Sequence, residues 1–217
     1  GIETHLPYDP VDKREVCTRL RFSNNLLTDT ANEDWGCVAL CVGFGSKITV
    51  EHNDISDTAY TGINLGWGWT RTKNCMSGNL VHANNIHRPA TRMCDTAGIY
   101  TLSCQPGTVI SENSIHGIRM SPYAFNPQHW AYLYLDEGSS FITLRDNWTP
   151  EEKFLSNAVG PENVFPYDEA QPNLALAQAV RRARDLAGGG QAVLRIVTAP
   201  HPELPKPASA SGEDWQI

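Results

Sequence analysis

An asparagine followed two residues later by leucine or isoleucine recurs along this chain. The repeats begin at Asn25, Asn53, Asn84 and Asn113, and Asn147 occupies the same place in a last, degenerate copy. Successive asparagines lie 28, 31, 29 and 34 residues apart. A fixed local pattern with imperfect spacing is typical of a solenoid, in which each copy forms one coil and the loops vary in length.

Two further sets of short apolar segments recur between the asparagines. One set covers residues 36–40, 62–65, 98–102 and 132–135, and the other covers 48–50, 109–111 and 142–144. Each segment alternates with a period of two, and two to three short strands per repeat are typical of a parallel β-helix. We therefore predict an all-β chain, a right-handed parallel β-helix with a C-terminal helix and an irregular tail.

The asparagines have a physical role in such a stack. Neighbouring coils lie about 4.8 Å apart, so amides at one corner can hydrogen-bond along the stack. Asparagine also tolerates the left-handed backbone that a sharp corner needs. The alternative is that these are ordinary turn residues. Five asparagines in one sequence context favour the ladder.

The repeat stops after Trp148. We predict coils in 1–148, a capping segment in 149–198 with a helix at 173–187, and a Pro-rich tail in 199–217. Asn173 can cap that helix, and its arginines come late, where cations suit the helix dipole. The helix is expected to cover the open end of the solenoid rather than to form a site.

Charge and cysteine content restrict the partners and the compartment. The net charge of −7 argues against nucleic acid and acidic membranes as partners, because both require a basic face. Six cysteines and the sequon at Asn147 favour a secreted, disulfide-bonded protein, although the cysteines could also simply fill a core. No C-x-x-C motif is present, which disfavours a zinc site. The first residue is Gly1 rather than Met, as expected for a processed chain or a fragment.

Three motifs in order carry a family resemblance. They are the segment from Gly62 to Trp69, the segment from Asp95 to Leu102 with its continuation to Ile110, and the segment from Tyr134 to Ser140. Together they resemble the right-handed parallel β-helix carbohydrate-active proteins, most closely glycoside hydrolase family 141. The resemblance extends over roughly residues 21–148.

The resemblance implies hydrolysis of a polysaccharide by two aspartates, which fall on Asp95 and Asp136. One carboxyl group would protonate the glycosidic oxygen, and the other would act as nucleophile or as base for water. Ala97 stands where the family usually has a further glycine. The family's chains also carry extra coils before this stretch, so a second chain supplying N-terminal coils is an expected partner.

Strand geometry sets a condition on this pair. Matching Leu102 with Leu135 places Asp95 and Asp136 eight positions apart, about 26 Å along a straight strand. The two acids can meet only if the chain turns a corner before Gly98, where a glycine makes a corner feasible.

Other residues are candidates for binding substrate. His129 falls beside Asp95 on the next coil and could tune its pKa. Trp67 and Trp69 follow the column of Asp136, and tryptophan faces are good platforms for sugars. Glu137 could replace Asp136 as the acid or bond to sugar hydroxyls. Tyr100 and Tyr134 alternate with inward aliphatic residues and so are expected to face the cleft.

The fold alone leaves three functions open. The first is a secreted glycoside hydrolase that acts on a polysaccharide or oligosaccharide without a cofactor. The second is a polysaccharide lyase, which would use a Lys or Arg base and often Ca²⁺. The third is a non-catalytic carbohydrate-binding subunit of a larger assembly.

Overall fold

The chain folds as a parallel β-helix, described here by a computed structural model for residues 7–163. Three parallel sheets wrap around one core, and each coil contributes one strand to each sheet in turn. Four coils are complete within the described residues, and a fifth is partial. The predicted all-β class and parallel β-helix are therefore confirmed, whereas the predicted helix at 173–187 and tail at 199–217 lie outside the described residues.

The strands of each sheet stack in chain order. Sheet 1 contains β1 (Arg21–Ser23), β4 (Thr49–Glu51), β7 (Leu80–His82), β10 (Cys104–Ser111) and β13 (Ser140–Arg145). Sheet 2 contains β2 (Leu26–Thr28), β5 (Asp54–Ser56), β8 (Asn85–His87) and β11 (Ser114–His116). Sheet 3 contains β3 (Leu40–Val42), β6 (Ile63–Leu65), β9 (Thr96–Thr101), β12 (Trp130–Leu135) and β14 (Phe154–Ser156).

The recurring apolar segments supply the core. Ile55, Ile86 and Ile115 are in register in sheet 2 and are fully buried. Ile63 and Ile99 do the same in sheet 3. The coil pattern runs past the predicted boundary at residue 148, because β14 pairs with β12.

The asparagine ladder is present at the corner between sheets 1 and 2. The side-chain amide of each asparagine donates to the side-chain oxygen of the next at 2.9 Å, from Asn25 through Asn53, Asn84 and Asn113 to Asn147. The same oxygen also accepts the backbone N–H of the previous asparagine at 3.0–3.1 Å. The predicted ladder is thus confirmed, and it satisfies backbone and side-chain groups together.

The left-handed corner residue is one position earlier than predicted. Positive φ angles belong to Asn24, His52, Ala83, Glu112 and Asp146, which each precede a ladder asparagine. The ladder asparagine instead aims its amide along the stack, so the backbone turn falls to its neighbour. Two further columns of left-handed residues run along the stack. The column where the chain enters sheet 1 comprises Arg19, Lys47, Gly78, Gly107 and Phe141, the last two inside β10 and β13. The column after sheet 2 comprises Asp29, Asp57, Arg88 and Gly117.

Two grounds for the secreted, disulfide-bonded prediction are not supported by the structure. All six cysteines are free thiols, so the expected disulfides are absent. An even number of cysteines permits pairing but does not bring the sulfurs together, and these cysteines range from exposed to buried. Asn147 is 4% exposed and its amide belongs to the ladder, so the sequon is not an accessible glycosylation site.

Among residues 7–163, no helix combines the length and apolar character needed to cross a membrane.

Candidate functional site

The outer face of sheet 3 departs from regular strand geometry at Gly98. In β9, Ala97 and Tyr100 both pack in a cluster outside the coil, whereas Ile99 lies in the core. Alternation with a period of two cannot place residues three apart on one face, so the strand is bent between them. A Cβ on Gly98 would lie 2.2 Å from Cγ2 of Ile115, so only glycine fits there.

The same bend is repeated in the next coil. Ala131 and Tyr134 of β12 join the outer cluster, whereas Tyr132 and Leu133 lie in the core. Asp95 precedes β9 in the left-handed conformation, with φ of 57°. The sequence analysis required a corner before Gly98 for Asp95 and Asp136 to meet. The structure forms this corner from the left-handed backbone of Asp95 and the bend at Gly98.

The true register differs by one residue from the match of Leu102 with Leu135. Leu135 pairs with Thr101, and the Asp95 N–H donates to the His129 carbonyl at 2.8 Å. Leu102 lies in the outer cluster, whereas Leu135 lies in the core.

Asp136 follows β12 and is 5% exposed. Both of its carboxylate oxygens accept a hydrogen bond: Oδ2 from the Tyr100 hydroxyl, and Oδ1 from the Asn157 amide at 2.8 Å. Tyr100 and Asn157 come from the coils on either side, so Asp136 is held from both directions along the stack.

Asp95 is the more accessible of the two acids, with 51% of its side chain exposed. Its Oδ1 lies 3.7 Å from Nδ1 of His129. Burial and, next, the charge of Asp136 raise the pKa of Asp95 above its usual value, against the opposing effects of His129 and of a hydrogen bond from Tyr134. The two predicted acids therefore share one electrostatic environment.

Two tyrosines connect the acids. The rings of Tyr100 and Tyr134 meet edge to face with centroids 4.9 Å apart. Burial, together with the charges of Asp136 and Asp95, raises the pKa of both phenols far above its usual value. Both hydroxyls therefore stay protonated. Tyr100 donates to Asp136, and the Tyr134 hydroxyl lies 3.5 Å from Nε2 of His129, which is beside Asp95.

A cleft of about 430 Å³ opens beside this cluster. Its aromatic lining comprises Tyr60, Trp67, Trp69 and Tyr100, and the opposite wall includes Cys37, Val38 and Cys41. The rings of Trp67 and Trp69 meet at 4.5 Å, and Trp67 is 47% exposed. Tyr100 both lines the cleft and bonds to Asp136, so it connects the cleft to that acid, although neither Asp95 nor Asp136 is among the residues that line the cleft.

The predicted residues differ in how closely they approach this site. Trp67, Trp69 and Tyr100 line the cleft. Asp95, Asp136 and His129 surround the tyrosine pair. Glu137 is only partly exposed, and its backbone carbonyl accepts the Ser103 N–H at 3.0 Å.

Two residues of the site, Tyr60 and Asn157, were missed by the sequence analysis. Tyr60 donates its hydroxyl to the Asp95 carbonyl at 2.8 Å and lines the cleft, and its pKa is raised to about 12, mainly by burial. Tyr134, which was expected together with Tyr100 to face the cleft, is the register partner of Tyr100. Asn157 lies beyond the predicted coils, so no signal in the repeat indicated it.

Within residues 7–163, no group of three or more His, Cys, Asp or Glu side chains is arranged to hold a metal ion.

The chain is similar to a solved structure named "Glycoside hydrolase". The two share 51% sequence identity with a TM-score of 0.74. The match covers 81% of this chain but only 29% of the other, so the chain spans less than a third of that protein's length. No protein-family model matches the sequence, and no curated protein matches it.

Proposed function

We propose that this chain is the catalytic β-helix portion of a glycoside hydrolase that acts on a polysaccharide or oligosaccharide. The likeness to a structure of that name, at 51% identity, supports the general class. The observation that carries the proposal is the arrangement of Asp95 and Asp136 around one tyrosine pair, at the edge of an aromatic cleft. Membership of family 141 remains a prediction.

Asp95 is the proposed proton donor. Its raised pKa keeps a larger fraction of the carboxyl group protonated at mildly acidic pH, which suits a general acid. Half of its side chain is exposed, so it can reach a glycosidic oxygen. His129 lies beside it and is placed to exchange the proton between turnovers.

Asp136 is the proposed second carboxylate, acting as nucleophile or as base for water. The bonds from Tyr100 and Asn157 fix both of its oxygens, which orients the group before substrate arrives. The sugar ring would stack in the cleft on Trp67 and Trp69, with Tyr100 at its reacting end.

The test is hydrolysis by Asp95→Asn and Asp136→Asn variants, measured as release of reducing sugar from a panel of neutral and acidic polysaccharides. We expect each variant to lose roughly 10³-fold in kcat, because general acid–base groups contribute on this scale. Asp146→Asn is the matched control, because 43% of the Asp146 side chain is exposed and, among residues 7–163, its ion pair is with Arg145. Full activity in both site variants would show that Asp95 and Asp136 are not the catalytic pair.

A non-catalytic carbohydrate-binding role is the second candidate, and the low exposure of Asp136 favours it. A binding module would release no sugar from any polysaccharide but would retain glycan affinity that depends on Trp67 and Trp69. A lyase would be recognised by unsaturated products that absorb in the ultraviolet.

A further inference from the structure

A second groove of about 430 Å³ follows the corner before sheet 1, apart from the aromatic cleft. Four cationic side chains, Lys13, Arg19, Lys47 and Lys73, line it together with the single carboxylate of Asp9. The chain as a whole carries a net charge of −7, so this groove has the opposite sign to the molecule.

Two of the cations belong to successive coils. Arg19 and Lys47 occupy equivalent left-handed corner positions, each directly after a residue of the bridged column Thr18, Ser46 and Ser77. Their backbones are therefore separated by about 4.8 Å, the distance between stacked strands. Like charges opposite one another in a sheet destabilise it unless an anion lies between them.

Two arginines elsewhere on the coils are neutralised by a carboxylate of the neighbouring coil. Arg21 meets Glu51 at 2.5 Å, and Arg88 meets Asp57 at 2.6 Å. In the groove only Lys13 has such a partner, Asp9 at 2.6 Å. Across the described residues, Arg19, Lys47 and Lys73 form no ion pair within 4 Å.

The groove also offers neutral hydrogen-bonding groups. The Ser46 and Ser77 hydroxyls lie 3.0 Å apart along the same corner, beneath the cations. A row of hydroxyls beside a row of cations suits a ligand that carries anionic oxygens and hydroxyl groups at regular intervals.

We propose that this groove binds an acidic glycan, a linear chain of sugars carrying carboxylate groups, along the axis of the solenoid. Cations on two consecutive coils, Arg19 and Lys47, with Lys73 in the same groove, suit a polymer that carries several charges rather than a single small anion. The overall negative charge disfavours a nucleic acid, whose phosphates extend beyond the groove. The loop that carries Trp67 and Trp69 of the cleft continues to Lys73 of the groove, so a bound polymer would lie close to the cleft.

Calorimetric titration with an oligogalacturonate and its fully methyl-esterified counterpart of equal length tests the proposal. We expect the acidic form to bind at least roughly ten-fold more tightly, with an affinity that falls as salt is raised, because exposed charges are screened. Lys47→Gln and Lys73→Gln should each weaken binding roughly three- to five-fold. Arg145→Gln, which removes the same charge outside the groove, should leave it unchanged.

Equal binding of the two forms, or no binding of either, overturns the proposal. Displacement by inorganic sulfate with no gain from glycan length assigns the groove to a free anion, and tighter binding of a single-stranded oligonucleotide assigns it to nucleic acid. Either result also overturns it. The titration measures binding alone, so its outcome is independent of whether Asp95 and Asp136 hydrolyse anything.

Discussion

The corner between sheets 1 and 2 and the outer face of sheet 3 are built from the same coils, yet they use repetition differently. At the corner, every coil contributes one asparagine in one geometry. On the outer face, successive coils contribute Asn64, Tyr100 and Tyr134 at one register position. The repeated position supplies hydrogen bonds to the fold, whereas the varied position creates the site.

The comparison predicts that substitutions at the corner affect stability and that those on the outer face affect activity. Asn84→Ala should have the largest effect on stability. Asn84 donates to the Val50 carbonyl at 3.0 Å and accepts both the N–H and the amide of Asn53, so its loss leaves buried groups without partners. We expect a loss of about 4 kcal/mol in the free energy of unfolding, measured by urea denaturation.

Asn25→Ala provides the matched control. Asn25 begins the ladder and is only half-buried, so we expect a loss of about 1 kcal/mol. Equal losses at the two positions would show that the ladder contributes no more in the middle of the stack than at its end.

Gly98→Ala tests whether the bend in β9 requires a glycine. The added Cβ would lie 2.2 Å from the Ile115 side chain and 3.0 Å from the Tyr132 carbonyl, so we expect destabilisation of about 2–3 kcal/mol in thermal unfolding. Gly43→Ala is the control, because a Cβ there meets nothing within 4 Å. An unchanged stability of the Gly98→Ala variant would mean that β9 can straighten to accommodate the added Cβ.

Tyr100→Phe should affect activity more than stability. It removes the donor to Asp136 Oδ2 but keeps the ring that packs against Tyr134. We expect kcat to fall roughly ten- to hundred-fold while the free energy of unfolding changes by about 1 kcal/mol. An unchanged kcat in this variant would argue against a catalytic role for Asp136.

The smallest effect concerns pH. Burial, and then the charges of His87 and Arg88, lower the pKa of His116 below 6.5, with Asp54 opposing. The unfolded chain therefore binds this proton more readily, so the stabilisation is present above pH 6.5 and is lost as pH falls towards the lowered value. In His116→Gln, we expect the loss of unfolding free energy between pH 7 and pH 5 to be smaller than in the wild type, by less than about 1 kcal/mol. The measurement is the unfolding temperature of both proteins at the two pH values.

The repeat could be read from the sequence because its asparagines act through one fixed geometry. The left-handed position was missed by one residue, because a side chain engaged in the ladder leaves the turn to its neighbour. The disulfides were wrongly expected, because counting cysteines says nothing about where the coil carries them.

The site was harder to predict because its members belong to different coils. Leu102 and Leu135 match by residue type, but one lies in the outer cluster and the other in the core, which shifted the inferred register. Tyr60 and Asn157 approach the acids only after coiling, and neither belongs to the repeated pattern. Asp95 and Asp136 themselves came from the family resemblance rather than from strand geometry.

The three columns of left-handed corners also bear on how such a chain can change. They confine differences in coil length to the segments between corners, as the unequal intervals between asparagines already show. A duplicated unit of about thirty residues would bring its own amide, corners and inward isoleucine, and could be inserted without redesigning its neighbours. Growth of the molecule and refinement of its cleft can thus proceed as separate evolutionary events.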